Sequence, residues 1–250
     1  MTSKVAVVTG ATSGIGRATA EKLLQEGFQC VVIARDAARL QQIFSPWKGQ
    51  YVAIPCDVTE LDALAQLCAE RILPLGRVDA LVNAAGSLAK DSIATLKWRE
   101  YEAMSRLNVE APMVLTNALL PALESARGAV VNVSSVTGVR SFPGILSYCV
   151  TKAAVDQFTR CAALELAGRG VRVNAVNPGV VRTDLHRRGG MDDSAYAAFL
   201  EHSRTTHPMG RIGTPEEVAD LILFLISDKA GWMTGESICI DGGRHATCLR

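Results

Sequence analysis

No apolar run in this 250-residue chain approaches the ~20 residues that a membrane-spanning helix needs, so no span is expected. An excess of one charge is equally missing. Lys+Arg total 26 and Asp+Glu 25, a formal net charge of +1, which excludes bulk attraction to nucleic acid or an acidic membrane surface. The seven cysteines (30, 56, 68, 149, 161, 239, 248) include no C-x-x-C pair. They read as buried or incidental thiols in a reducing compartment, and no metal site is expected. No linker, repeat or low-complexity tract is visible. Met1-Thr2-Ser3-Lys4 runs directly into Val5-Ala6-Val7-Val8, where neither a signal nor a transit peptide fits. One cytoplasmic domain over residues 1–250 is therefore the expectation. What is present is core material: 48% hydrophobic residues against 20% charged, which excludes disorder.

Apolar runs of strand length alternate with segments of helical period. Strands are expected at Val5–Thr9, Cys30–Ala34, Tyr51–Cys56, Ala80–Asn83, Ala129–Val133, Arg172–Asn177 and Ser237–Ile240. Helices are expected over Gly16–Glu26, about Asp36–Ile43 and Leu61–Leu73. Strands that stay apolar without alternating are buried on both faces, as in a parallel sheet covered by helices. The expected fold is therefore α/β, a doubly wound, Rossmann-type parallel sheet of about seven strands. One long irregular stretch, Arg182 to about Pro208, reads as a substrate lid (about 182–210) near the carboxyl ends of the strands.

Directly after the first strand stands Thr9-Gly10-Ala11-Thr12-Ser13-Gly14-Ile15-Gly16, then a helix. Three glycines there allow a tight turn, close approach of backbone to phosphate and close packing of helix on strand. The helix N-terminus adds free N–H groups and the positive end of its dipole. The second strand ends Ala34-Arg35-Asp36. An acid at that point would bind the ribose 2′-hydroxyl of NAD, and a basic residue the 2′-phosphate of NADP. Arg35 favours NADP(H), while Asp36 either keeps NAD(H) open or caps the next helix.

Ser135, Tyr148 and Lys152 outline a proton-transfer site. Tyr148 and Lys152 are four apart and share a helix face. An ammonium there favours the phenolate and is expected to lower the tyrosine pKa from about 10. Ser135, delivered from a strand end, would bond the oxygen that the tyrosine protonates.

Taken together, T-G-x-x-x-G-x-G at 9–16, Asp57, Asn83-Ala84-Ala85-Gly86, Asn108, Ser135, Tyr148, Lys152, Asn177-Pro178-Gly179 with Thr183, and Asp241-Gly242-Gly243 stand in an ordered series. In this the chain resembles the short-chain dehydrogenase/reductases, in their single-domain branch. Its general likeness is to 3-oxoacyl-carrier-protein reductases and small carbonyl and sugar reductases. The resemblance implies a catalytic set of Asn108, Ser135, Tyr148 and Lys152. Tyr148 would act as general acid in carbonyl reduction, Lys152 would tune it and hold the nicotinamide ribose, and Ser135 would orient the substrate oxygen. Asn108 would keep a water behind Lys152. Cofactor contacts would come from Gly10, Thr12, Ser13, Gly14, Ile15, Gly16, Arg35, Asp57, Val58, Asn83, Gly86, Tyr148, Lys152, Pro178, Gly179, Val180 and Thr183. The family often has a second asparagine where this chain has Ala84, and some NADP-dependent members have a basic residue where it has Ser13. Expected partners are a small carbonyl or alcohol substrate and further copies of the chain, as a homotetramer or a dimer. Two other readings stay open: a 3-oxoacyl-thioester reductase docking an acidic carrier at Arg127 and Arg169, and an NADPH-binding regulatory subunit. The lid offers Leu185, Met191, Tyr196, Phe199 and Leu200 with His186, Arg187 and Arg188, a mixed lining for a medium-sized carbonyl compound.

Overall fold

Val5, Ala6, Val7 and Val8 carry no alternating polar partner because their strand is covered on both faces. All residues of β1 (Val5–Thr9) are buried in the computed structural model, which describes residues 3–248. The other strands are β2 (Gln29–Ala34), β3 (Tyr51–Pro55), β4 (Ala80–Asn83), β5 (Ala129–Val133), β6 (Arg172–Pro178) and β7 (Ser237–Ile240). They form one seven-stranded sheet in the order β3-β2-β1-β4-β5-β6-β7, and every adjacent pair is parallel. The chain has the Rossmann-type α/β architecture expected from its sequence.

The helices are α1 (Gly14–Gln25), α2 (Ala37–Phe44), α3 (Leu61–Leu67), α4 (Trp98–Ser105), α5 (Ala111–Ala118), α6 (Leu120–Ala126), α7 (Val136–Val139), α8 (Leu146–Ala167), α9 (Leu185–Arg188), α10 (Asp193–Thr206) and α11 (Pro215–Ile226). Leu23, Leu24, Leu40, Phe44, Ile222 and Leu225 from α1, α2 and α11 cover one face of the sheet. Leu64, Leu115, Leu123, Ala163 and Leu166 from α3, α5, α6 and α8, together with Leu119, cover the other. Each such fully buried leucine contributes about 1.5–3 kcal/mol relative to exposure, so the two layers fix the ends of the strands relative to one another. No helix among the described residues is long and apolar enough to cross a membrane.

Two segments differ from expectation. The stretch from Arg182 to Pro208 is not irregular, because it contains α9 and the 14-residue α10. Asp192 caps α10 by accepting from Ala195 N at 2.8 Å, and the Tyr196 hydroxyl donates to Thr183 O at 2.8 Å. The buried residues of α10 are Tyr196, Ser203 and Thr206, so its inner face carries little hydrophobic periodicity. The expected helix over Leu61–Leu73 is α-helical only to Leu67 and continues as a π turn, Cys68–Ile72, before the single 3₁₀ turn Leu73–Leu75. A second π turn, Arg106–Glu110, joins α4 to α5 and carries Asn108, and such turns recur at functional sites.

Candidate active site

Strand order reverses between β1 and β4, and in an open parallel sheet the crevice outside the strand ends at that point receives the ligand. A continuous cavity of about 760 Å³ lies there. That volume is typical of cofactor and small-molecule sites. Its lining brings together Gly10, Thr12, Ser13, Gly14, Ile15, Gly16, Arg35, Asp57, Val58, Gly86, Ser135, Tyr148, Lys152, Pro178, Gly179, Val180 and Thr183.

The glycine loop is built for close approach. Gly10 and Gly14 have φ of +66° and +52°, the left-handed region that side chains disfavour. A Cβ on Gly16 would stand 2.6 Å from Gly10 O, so only glycine lets α1 start this near the end of β1. No side chain caps α1 and no acid lies in its first turn, which suits its amides to an anionic ligand such as a pyrophosphate. The Thr9 hydroxyl accepts from the amides of Ala84 and Ala85, both at 3.1 Å, and so ties the loops after β1 and β4. Thr183 closes on the same loop, since a Cβ on Gly14 would meet its Cγ2 at 2.9 Å. These features fit a dinucleotide.

At the far end of the loop Asp36 caps α2, accepting from Arg39 N at 2.9 Å. Arg35 and Arg39 both line the cavity. Asp57 accepts from the Thr59 amide (3.0 Å) and hydroxyl (2.8 Å), and mainly the amide bond holds its carboxyl below the ordinary range.

Tyr148, Lys152 and Asp156 follow at intervals of four along α8 and are all buried, at 6%, 4% and 2% exposure. Burial pushes the Tyr148 phenol up to about 12, partly offset by the neighbouring Ser135 side chain. The lowering expected from Lys152 does not prevail. The Lys152 ammonium stands 5.6 Å from the centroid of the Tyr148 ring and donates to Val133 O at 2.8 Å, while its own pKa falls to about 8 through burial. Tyr148 is thus a neutral phenol at physiological pH, the state that a proton donor requires.

Asn83 and Asn108 do not line the cavity. Asn83 Nδ2 donates to Asn132 Oδ1 at 2.8 Å and braces β4 against β5. Asn108 is engaged at both ends of its amide: Oδ1 accepts from Ser87 N (2.9 Å), and Nδ2 donates to Ser87 O (3.0 Å) and Thr151 Oγ1 (3.2 Å). Its side chain holds the Gly86–Ser87 turn beside Lys152.

Three supporting residues have roles that the sequence reading did not assign, because each acts through a neighbour. Asn177 Nδ2 donates to Ser135 O and to Asp156 Oδ2, both at 2.8 Å, and so fixes the backbone of Ser135. His207 accepts from Val180 N at 3.1 Å and steadies the loop after β6. Asp156 puts a buried carboxylate one turn behind Lys152. Burial pushes its pKa up, opposed by Ser134, Asn177, Arg160 and Lys152, and Cys239 of β7 also lies in its field. Its charge raises the pKa of Lys152. Asp156→Asn keeps an acceptor for Asn177 and removes that charge, so the Lys152 ammonium is lost at lower pH. The alkaline limb of the kcat/KM profile should move to lower pH, and an unchanged limb would show that Asp156 is only a packing group.

Comparison with known proteins decides the family. A family model described as enoyl-(acyl carrier protein) reductase matches residues 10–245. The chain is 37% identical to the 3-oxoacyl-[acyl-carrier-protein] reductase FabG of Thermotoga maritima, over 96% of this chain and 97% of that protein. It superposes with a TM-score of 0.91 on a short-chain dehydrogenase/reductase of unknown function from Caenorhabditis elegans, solved with cofactor, at 34% identity over 98% of this chain and 97% of the other. The chain belongs to the short-chain dehydrogenase/reductases. A further family structure, the RhlG/NADP active-site complex of Pseudomonas aeruginosa, matches with a TM-score of 0.88 at 32% identity, over 97% of this chain and 96% of that one. Membership makes the chain a family oxidoreductase, and the cavity at its strand reversal is the candidate site for that chemistry.

Proposed function

We propose that the protein is an NADPH-dependent carbonyl reductase, working reversibly as a secondary-alcohol dehydrogenase. The observation that carries this reading is a single cavity lined both by a neutral buried Tyr148, with Ser135 beside it, and by a glycine loop suited to a phosphate-bearing ligand. When bound, NADPH supplies the hydride to the carbonyl carbon. Tyr148 holds the proton at Oη and delivers it to the carbonyl oxygen. Ser135 Oγ orients that oxygen and, as a second donor, stabilises its developing charge. The Lys152 ammonium lies behind the ring and favours the phenolate left after proton transfer. In oxidation the same groups run in reverse.

NADP(H) is favoured over NAD(H) because Arg35 and Arg39 converge on the adenosine end while Asp36 is engaged in capping α2. A guanidinium–phosphate contact contributes about 1.5–3 kcal/mol, so Arg35→Ala should weaken NADPH binding roughly tenfold or more while changing NADH binding little. The check is titration of both nucleotides against both proteins. Equal preference before and after the substitution would refute the arginine argument.

The 3-oxoacyl-thioester reading rests on the 3-oxoacyl-[acyl-carrier-protein] reductase among the relatives. Arg169, proposed as a carrier contact, is ion-paired with Glu124, whereas Arg127 lies in the left-handed region (φ 49°) at the end of α6. Association into a tetramer is supported by apolar side chains left exposed on the helices around the site, Trp98 on α4, Met113 on α5 and Leu164 on α8, and by Trp232 before β7.

A further inference from the structure

The two halves of the cavity differ in charge. At the adenosine end Arg35 and Arg39 are accompanied by Asp36 and Asp57, whereas the substrate end is lined by Lys90, Arg188, His186 and His202 with no acid among its described lining residues. Neither Lys90 nor Arg188 forms an ion pair with a described residue, although acids stand close in sequence. Asp91, next to Lys90, is turned away, accepting from the amide of Ser147 at 3.0 Å and from its hydroxyl. Arg187, next to Arg188, is neutralised by Asp184 (3.4 Å) and Asp193 (2.8 Å) and lies over the ring of Tyr196 at 4.3 Å.

The two unneutralised cations come from segments packed directly together. A Cβ on Gly189 would stand 2.7 Å from Leu88 O, so glycine there lets the end of α9 close on the loop that carries Lys90. Near Lys90, His186 packs against Phe199 with ring centroids 4.4 Å apart, and its Nδ1 is buried without a hydrogen-bond partner. Burial and the neighbouring Lys90 push its pKa down to about 4, so the ring is neutral and adds no charge to the pair. Both cations are exposed to solvent at the cavity mouth, where an anionic group on the substrate would meet two positive charges that no described acid neutralises.

We propose that the carbonyl substrate carries an anionic group, a carboxylate or a phosphate, received by Lys90 and Arg188. This rests on the carbonyl-reductase reading and names the substrate class of that same site.

The test uses two matched pairs with wild-type enzyme and NADPH: a 3-oxo acid against its methyl ester, and a 3-oxoacyl phosphopantetheine thioester against the corresponding pantetheine thioester. The expected result is a preference for the anionic member of at least one pair by about tenfold or more in kcat/KM, the size of one charge-assisted contact. The pair that shows it identifies carboxylate or phosphate as the source. The preference should shrink with added salt, which needs no variant, and shrink again, chiefly through KM, in Lys90→Met and Arg188→Met. Equal kcat/KM within both pairs overturns the proposal, as does a preference that survives the double variant. Turnover of the neutral members keeps the reductase reading intact in that event, whereas no turnover of any of the four compounds removes both.

Discussion

Tyr148→Phe should reduce carbonyl-dependent NADPH oxidation by about 10²–10⁴-fold, the range expected when a positioned general acid is removed. The ring, its burial and its place beside Lys152 are kept, and only the proton at Oη is lost. The loss corresponds to about 3–5 kcal/mol of transition-state stabilisation. Nucleotide affinity should stay close to wild type, because the glycine loop is untouched. A variant that binds NADPH normally but does not turn over separates proton delivery from cofactor binding. Turnover within a few-fold of wild type would mean that another group, such as the neighbouring Ser135, protonates the product.

Gly16→Ala should have the largest effect on cofactor binding. Its Cβ would lie 2.6 Å from Gly10 O and 2.9 Å from both Gly10 C and Thr9 O, all backbone atoms that no side-chain rotation can relieve. Either α1 moves away from the end of β1 or the loop is rebuilt, at an overpacking cost of about 1–3 kcal/mol. NADPH binding should weaken by roughly tenfold to a hundredfold, with a matching loss of thermal stability. Gly168→Ala is the control, since its Cβ would meet nothing within 4 Å, and it should change neither quantity. Near-normal nucleotide affinity in Gly16→Ala would contradict the role given to the loop.

The parallel sheet was legible because burial on both faces writes itself as uninterrupted apolar runs. Val5–Thr9, Ala80–Asn83, Ala129–Val133 and Ser237–Ile240 have the same boundaries in sequence and structure, and the other three strands differ by one residue at one end. The glycine loop was legible for a related reason, since few arrangements other than a phosphate cradle need three glycines at that spacing. Helix α10 was not, because its inner face is Tyr196, Ser203 and Thr206 and shows almost no apolar period. The environment of Tyr148 was hidden too. The Y-x-x-x-K spacing places an ammonium on the same helix face, but only the packing shows that desolvation outweighs it. Asp156 was missed, and Asn177 was read only as part of a motif, because the bonds of Asn177 to Asp156 and to the backbone of Ser135 join α8 with β6, a coincidence that no local pattern encodes. Asn83 belongs to a motif yet serves the sheet, its amide being taken by Asn132 in the register of β4 on β5.

The most direct test of the central claim follows deuterium from NADPH labelled at the transferable position into the product of a carbonyl substrate. The account predicts one deuterium on the new carbinol carbon, with its transfer slowed by about 10²–10⁴-fold in Tyr148→Phe despite retained nucleotide binding. Tight NADPH binding with no label transferred to any carbonyl compound would contradict it, and would make the chain a nucleotide-binding regulatory subunit instead.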